Sequence, residues 1–291
     1  MRILFIHGIA QGGRDPKVLE KIWVETLQEG YFGSWPETLK IDFPYYGDVL
    51  DALVAHSKLP TPAELVAKGP DQDRGFEEFM ASALVEIRDG AGITQRQIAA
   101  RLEPGPPSEP KGIQNWRVSL ALARTIEACV PPVVGFSIEH FLKEVYVYVD
   151  RPAAQRQIDA IVEALLSDEP TIVVGHSLGS VVAYNIVRKH RRTLDLRRLV
   201  TVGSPLGLQA ISSKLGVLEN CAGKAGWYNA FDPHDIVALH PLDKRWFPVK
   251  PAIVNDDSVR NSADNRHGII GYLDHRRLGE EVARAVIEAG A

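Results

Sequence analysis

Short apolar runs alternate with longer segments whose apolar residues recur at helical spacing, towards both ends of the chain. The runs are rich in Val, Ile, Leu and Phe and end at Gly, Pro or polar residues, which predicts buried strands. They cover residues 2–6, 38–43, 171–174, 196–202 and 227–231. The helical spacing covers residues 16–29, 136–149, 153–167 and 275–289. This alternation predicts an α/β fold with a mostly parallel central sheet and helices on both of its faces.

The alternation is interrupted between residues 48 and 135. Nine of the 19 prolines lie in this region, and residues 103–112 are too rich in proline for regular structure. Helical patterns remain at residues 75–88, 94–102 and 115–129. Thr94 and Gln97 are the residue types of a capping box at a helix start. We therefore predict a helical, Pro-rich insertion at 48–135 within a single domain that spans 1–291.

Residues 171–190 are the most informative stretch. A predicted strand leads into Gly-His-Ser-Leu-Gly at 175–179, and an apolar series at helical spacing follows. A strand that turns directly into a helix leaves no room for side chains two residues before and after the central serine, and Gly175 and Gly179 remove them. Ser177 would then project above the sheet edge in a strained conformation. The alternative is an ordinary βα turn in which Ser177 is a helix N-cap.

This strand–GxSxG–helix pattern resembles the nucleophile elbow of the α/β-hydrolase superfamily, especially of its lipase- and esterase-like members. Two other segments support the resemblance: His-Gly-Ile at 7–9, after the first strand, and Thr-Val-Gly-Ser-Pro at 201–205, after the strand that follows the elbow. The resemblance covers residues 1–47 and about 150–291. Ser204, in the second segment, lacks the elbow context and is expected to be structural.

The resemblance implies a role for each residue of the elbow and for the early glycine-rich turn. Ser177 would be the nucleophile, held by the elbow glycines Gly175 and Gly179. The backbone amides of Ile9 and Leu178 would form the oxyanion hole, which stabilises negative charge on the carbonyl oxygen during the reaction.

In this family the acid and then the histidine follow the nucleophile along the chain. Asp232 and Asp235 both lie after the strand at 227–231. The Asp-Ile-Val segment that starts at Asp235 resembles the segment that carries the acid in many lipases, so we favour Asp235 and keep Asp232 as the alternative acid. His267 lies in a polar loop shortly before the last helix, which is the family's place for the catalytic base. The alternative is a histidine in a surface loop without a catalytic role.

These residues imply hydrolysis of a carboxylic ester through a Ser-His-Asp triad and an acyl-enzyme, with no metal and no organic cofactor. The substrate would be a small-molecule or lipid-like ester. A thioesterase or an acyltransferase would use the same triad. The competing hypothesis is a non-catalytic scaffold of this fold that binds a ligand or a partner. Such relatives usually lose a triad member or an elbow glycine, and this chain keeps all of them.

Hydrolases of this family often carry a lid or cap between two sheet strands, so residues 48–135 are a candidate lid. A purely structural helical region is an equally good interpretation. Phe76, Phe79, Met80 and Leu84 share one face of a predicted helix and would favour a hydrophobic acyl chain if that helix covered the site.

Composition narrows the range of partners. The net charge is −4 and no long run of one sign occurs, which argues against a nucleic-acid-binding protein. Cys129 and Cys221, the two cysteines, offer neither a disulfide framework nor the spacing of metal ligands, and buried thiols are expected. No stretch approaches about 18 apolar residues and no signal peptide is recognisable, so we predict no membrane span and a cytoplasmic location.

Two further features bear on metals and assembly. Two aspartates and two histidines lie within residues 232–240, but no second group of ligands supports a metal site there. The chain opens directly at the strand that carries His7, without the antiparallel strands that usually precede it in the family. One edge of the sheet would then be exposed unless the insertion or a second copy of the chain covers it, and a homo-oligomer is one such solution.

Overall fold

The computed structural model describes residues 1–30, 35–36, 38–60, 74–103, 111–129 and 137–290. Its strands are β1 (Arg2–Ile6), β2 (Lys40–Asp42), β3 (Thr171–His176), β4 (Leu196–Val202), β5 (Trp227–Ala230) and β6 (Val254–Asp256). They form one all-parallel sheet in the order β2-β1-β3-β4-β5-β6. The predicted α/β class, with a parallel central sheet, is confirmed.

Eleven α-helices lie in these described ranges. They are α1 (Pro16–Gly30), α2 (Gly47–Ser57), α3 (Arg74–Gly90), α4 (Gln95–Ala99), α5 (Lys111–Cys129), α6 (Ile138–Asp150), α7 (Pro152–Glu163), α8 (Leu178–His190), α9 (Gln209–Ser212), α10 (Ile269–Leu273) and α11 (Arg276–Gly290). None of these helices is long and apolar enough to cross a membrane. The capping box predicted at the start of α4 is present, with Thr94 and Gln97 bonded to each other in both directions.

Helices cover both faces of the sheet, because side chains point to opposite faces in turn along each strand. Ile3 and Phe5 of β1 pack on one face with α1, α10 and α11. Leu4 and Ile6 pack on the other face, where a larger core extends through helices α2 to α9. β3 is buried along its whole length, as expected for a central strand of a parallel sheet covered on both sides.

The helices of the predicted insertion share the larger core. Phe76, Phe79, Met80 and Leu84 of α3 are all at most 4% exposed. The rings of Phe76 and Phe79 approach the ring of Tyr146 at centroid distances of 5.1 and 5.2 Å. The apolar face of α3 is therefore covered by protein, and it offers no open surface to an acyl chain.

Several elements differ from the predicted ones. Helix α2 was not predicted, because the helical spacing of Leu50, Leu53 and Val54 spans barely one turn. Strand β6 and helix α10 are three and five residues long, too short for a period to be recognised. The Pro-rich stretch 103–112 ends earlier than predicted, since α5 begins at Lys111, and residues 104–110 lie outside the described ranges.

The strand order creates a crevice at one end of the sheet. The chain passes from β1 to β2 on one side and later returns to β3 on the other side of β1. At such a switch point the loops that follow the two central strands diverge, and a crevice opens at the carboxyl ends of the strands. The loops after β1 and β3 flank this crevice, and they carry Ile9 and Ser177.

Candidate active site

Ser177 occupies a strained turn between β3 and α8. Its backbone angles are φ 54° and ψ −129°, a combination that residues other than glycine rarely adopt. Its amide donates to the Val202 carbonyl at 3.1 Å. A Cβ at position 175 would lie 2.6 Å from the Gly179 carbonyl oxygen, and a Cβ at position 179 would lie 2.1 Å from the Ile6 carbonyl oxygen. Both glycines are therefore required by the tight packing of this turn.

Ser177, His267 and Asp235 form a continuous chain of hydrogen bonds. The Ser177 hydroxyl donates to Nε2 of His267 at 2.8 Å. Nδ1 of the same imidazole donates to Oδ2 of Asp235 at 2.7 Å. Because the carboxylate can only accept, this bond holds the proton on Nδ1 and leaves Nε2 free to take the serine proton. Three residues that are far apart in the sequence thus meet at the carboxyl end of the sheet.

Asp235 is fully buried and is held in place by two other donors. The Tyr272 hydroxyl donates to Oδ2 at 2.7 Å, and the Val237 amide donates to Oδ1 at 2.9 Å. Burial and the neighbouring carboxylates raise the pKa of the Tyr272 phenol well above its usual value, so this group remains a donor. The carboxylate therefore has a fixed orientation towards His267.

Asp232, the alternative acid, is equally buried but serves a different group of residues. Its Oδ2 accepts from the backbone amide of Asn261 at 2.9 Å and lies 3.4 Å from the Arg266 guanidinium. Its Oδ1 accepts from the backbone and the imidazole of His234, at 2.9 and 3.1 Å. None of these contacts involves His267. In this geometry Asp232 connects the loop after β5 to the loop that carries His267.

The turn after β1 lies directly beside Ser177. In the pairing of β1 with β3, Ile6 lies opposite Gly175, which brings the next residues of both strands together. A Cβ at position 8 would lie 2.7 Å from the Ser177 Cβ, so only glycine allows this approach. The backbone amides of Ile9 and Leu178 donate to no acceptor in the turns and loops of the described residues. Both amides remain available to an oxygen bound next to Ser177.

Two buried histidines near Ser177 are neutral. His7 donates from Nδ1 to the Gly8 carbonyl at 2.8 Å and accepts the Tyr46 amide at Nε2. Burial lowers its pKa to about 4. His176 donates from Nε2 to the His267 carbonyl at 2.9 Å. Burial, followed by the nearby His267, lowers the pKa of His176 well below its usual value. These two residues therefore fill the core beside Ser177 and form hydrogen bonds there, and they do not act as bases near neutral pH.

A cleft of about 280 Å³ opens onto Ser177 and His267. Leu19, Ile22 and Trp23 of α1 line it together with Ile269 and Ile270 of α10. Ile22 and Ile270 are 39% and 49% exposed at the cleft surface. The serine hydroxyl thus lies at the bottom of a mostly apolar cleft of the size that suits a small ligand.

One group of side chains has the residue types of a metal site. The described residues bring together one group with suitable atoms, in which Asp51, His140 and Glu144 offer atoms within 4.8 Å of one another. Nε2 of His140 and Oε1 of Glu144 are only 2.5 Å apart. Two ligands of one ion at about 2.0 Å from it cannot approach so closely in tetrahedral or octahedral geometry, so this contact is a hydrogen bond within an ion pair. The residues between 232 and 240 form no comparable group in the described structure.

Sequence reasoning missed two functional candidates. Tyr272 bonds to Asp235, and Glu144 bonds to the turn that carries Ile9. Tyr272 lies in the same segment as His267, but nothing in that segment indicates a bond to Asp235, and Glu144 belongs to no motif. Ser204 accepts from the Ser180 hydroxyl at 2.7 Å and caps a 3-10 turn, so its hydroxyl does not face His267.

Comparison of the chain with protein-family models, with curated proteins and with solved structures found no match.

Proposed function

We propose that the protein is a serine hydrolase of the α/β-hydrolase type that cleaves a carboxylic ester. The observation that carries this proposal is the hydrogen-bonded chain from Ser177 through His267 to Asp235, at the carboxyl end of a parallel sheet. The strained backbone of Ser177 supports it, because strain at a buried, precisely packed serine is typical of functional positions. A serine that served only as an N-cap would need neither the strain nor the histidine.

The chemistry follows from the geometry. His267 takes the proton of Ser177 as the serine attacks the ester carbonyl, and Asp235 stabilises the imidazolium that forms. The amides of Ile9 and Leu178 then stabilise the oxyanion, a contribution of about 3 kcal/mol for each donor. His267 returns its proton to the leaving alcohol. Water repeats the same steps on the acyl-enzyme and releases the carboxylic acid.

The apolar cleft supports an ester rather than a strongly polar substrate. Its lining is mostly aliphatic and aromatic, with Gln11, Arg14 and Asn265 as polar members, and a cleft of about 280 Å³ accommodates a short acyl or alcohol group beside Ser177. Thioesters fit the same machinery. Transfer to an alcohol other than water would require a drier cleft, and the exposure of Ile22 and Ile270 at its mouth favours hydrolysis.

The test is steady-state hydrolysis of p-nitrophenyl esters whose acyl chains have two to twelve carbons, by the native protein and by matched variants. Ser177→Ala and His267→Ala should each lower kcat by about 10⁴-fold or more, while Ser204→Ala and His234→Ala should retain it within about threefold. The controls remove the same side chains at positions outside the hydrogen-bonded chain. Hydrolysis that survives in Ser177→Ala at the native rate would contradict the proposal. If the native protein hydrolyses none of these esters and its Ser177 does not react with a fluorophosphonate, the non-catalytic scaffold is favoured.

A further inference from the structure

Glu144 places a buried carboxylate against the turn that follows β1. The residue lies on α6 and its side chain is fully buried. Both of its oxygens face the Ala10 amide, at 3.2 and 3.3 Å. Ala10 follows Ile9 directly, so a group from outside the hydrogen-bonded chain of Ser177 contacts the peptide next to the proposed oxyanion donor.

The turn needs such an anchor because its conformation is unfavourable by itself. Ala10 has φ 55°, a left-handed conformation that costs a residue with a Cβ about 1 kcal/mol or more. The carbonyl of Gln11 accepts from the Tyr45 hydroxyl at 2.7 Å, and the Gly13 amide donates to Asp48 at 2.7 Å. The peptide between Ile9 and Ala10, nearest to Ser177, is held by Glu144 at its N–H and by the Gln11 side chain, whose Nε2 donates to the Ile9 carbonyl at 2.8 Å.

The position of the Ala10 amide restricts the direction of the Ile9 amide. Only the two backbone dihedral angles of Ile9 separate the two peptide planes, so holding the Ala10 N–H limits how far the Ile9 amide can turn. If the Ala10 N–H were released, the turn could relax from the left-handed conformation and rotate the Ile9 amide away from Ser177. An oxyanion donor is effective only when it already points at the developing charge.

Charge near the turn must also be balanced. Oε1 of Glu144 lies 2.5 Å from Nε2 of His140, one turn earlier on α6. The Glu144 hydrogen bond, acting against burial, raises the pKa of His140, and Asp51 on α2 adds to the rise while Lys143 opposes it. Burial raises the pKa of Glu144, and His140 and the Ala10 amide oppose that rise. Burial, followed by the charge of Glu144, raises the pKa of the Tyr46 phenol well above its usual value, and its hydroxyl donates to the His7 carbonyl.

The consequence of this pairing is electrostatic. While His140 carries its proton, the pair has no net charge beside the oxyanion hole. When His140 loses that proton, a bare buried carboxylate remains next to the turn and opposes the negative charge that forms on the substrate oxygen.

We propose that Glu144 is a positioning residue of the ester hydrolysis proposed above: its carboxylate, balanced by His140, holds the Ala10 amide so that the Ile9 amide points into the oxyanion hole. The inference rests on that proposed function. Under this proposal α6 takes part in the reaction although it carries no motif. The reaction would also depend on the protonation of His140, which lies outside the triad.

The test compares kcat and KM for p-nitrophenyl butyrate in Glu144→Gln, Glu144→Ala and native protein. Glu144→Gln keeps an oxygen for the Ala10 amide and should retain kcat within about threefold at neutral pH. Glu144→Ala should lower kcat by about 10- to 100-fold and change KM by less than about twofold, because the oxyanion hole acts only in the transition state. Equal kcat in Glu144→Ala and native protein would overturn the inference.

A matched control separates positioning from loss of stability. Glu86 on α3 also anchors a backbone turn, accepting from the Gln209 and Ala210 amides at 2.8 and 3.3 Å, but that turn does not line the cleft. Glu86→Ala should lower the midpoint of thermal unfolding without changing kcat. If Glu86→Ala lowered kcat as much as Glu144→Ala, the effect would be structural and the inference would fail.

The pH profile gives a readout that does not require Glu144→Ala to fold. In native protein, kcat should fall by about fivefold as the pH rises through the raised pKa of His140, above its usual 6.5, since the carboxylate then loses its counter-charge. Glu144→Gln has no such charge and should lack this alkaline decline. The same decline in both proteins would contradict the inference. If the native protein neither hydrolyses esters nor reacts at Ser177, the proposed function fails instead, and the inference falls with it.

Discussion

Two buried aspartates three residues apart face two histidines, and the two pairs have different surroundings. Asp235 and Asp232 are both fully buried, and each accepts a bond from an imidazole Nδ1. The side chain of His267 is 11% exposed and its other nitrogen meets Ser177, whereas the side chain of His234 is 63% exposed and extends into solvent. Asp232 also accepts from the His234 backbone amide and from Asn261 and Arg266, which are parts of a neighbouring loop.

Both aspartates share burial and a histidine partner, so these two features alone do not single out the proposed catalytic acid. What distinguishes Asp235 is the third member of its chain, a serine held in a strained turn. Asp232 has the contacts of a structural residue that ties loops together. Tyr272 touches both sites, since its hydroxyl donates to Asp235 and accepts from the Asp232 amide at 3.2 Å. The two aspartates therefore belong to one network but contribute to different properties.

The largest expected contrast is in the rate of hydrolysis by the two amide variants. Asp235→Asn should lower kcat by about 10⁴-fold, because an amide at this position can donate to Nδ1 and hold His267 in the wrong tautomer. Asp232→Asn should lower kcat by less than about tenfold. Steady-state hydrolysis of a p-nitrophenyl ester measures both. Equal losses would erase the distinction, and a larger loss in Asp232→Asn would make it the acid.

Stability should show the opposite order. Asp232→Asn weakens the bonds to the Asn261 amide and to Arg266, and should lower the free energy of unfolding by about 2 kcal/mol. Asp235→Asn keeps its size and retains the Val237 amide as a donor, so its loss should be smaller. Urea unfolding followed by circular dichroism compares the two. The comparison would be wrong if Asp235→Asn were the less stable variant by more than about 1 kcal/mol.

Tyr272→Phe removes one hydroxyl from the network that both aspartates share. The loss of a hydrogen bond to the Asp235 carboxylate should lower kcat by about tenfold with little change in KM. Tyr184→Phe is the control, because its hydroxyl accepts the Glu219 amide far from Ser177 and its removal should leave kcat unchanged. Equal kcat values for Tyr272→Phe and native protein would show that Asp235 does not need this donor.

The smallest expected effect belongs to the exposed histidine. His234→Ala should change kcat by no more than about twofold and the free energy of unfolding by no more than about 0.5 kcal/mol, since exposed pairs contribute little. The result can be compared directly with His267→Ala, which should lower kcat by about 10⁴-fold or more. A loss of activity in His234→Ala above about tenfold would give the Asp232 pair a catalytic part.

Sequence reasoning works well where local patterns and burial agree. β1, β3 and β4 were predicted from apolar runs, and the side chains of β3 are buried on both faces. Residues 145–149 favour a strand locally, yet the helical spacing of the surrounding apolar residues correctly predicted α6, because packing outweighs local propensity. The glycines around Ser177 could be predicted because their spacing follows directly from the steric limits of the turn.

What could not be predicted depends on contacts between distant residues. The local sequence favoured Asp235 over Asp232 only through the resemblance of its Asp-Ile-Val segment, and the fold shows that Asp235 is the one that meets His267. Glu144 lies 134 residues from the amide that it holds. Short elements such as β6 and α10 are set by pairing and packing rather than by their own periodicity. The candidate lid at 48–135 stays a prediction, although Phe76, Phe79, Met80 and Leu84 of α3 are buried in the core.

The most direct test of the central claim is the location of the adduct formed by a fluorophosphonate. Native protein would be incubated with the probe, digested and examined by mass spectrometry, with Ser177→Ala, His267→Ala and Ser204→Ala treated alike. The account predicts one phosphonyl group on Ser177 in native protein and in Ser204→Ala, and none in Ser177→Ala or His267→Ala. An adduct on a different serine, or labelling of His267→Ala at the native rate, would contradict it.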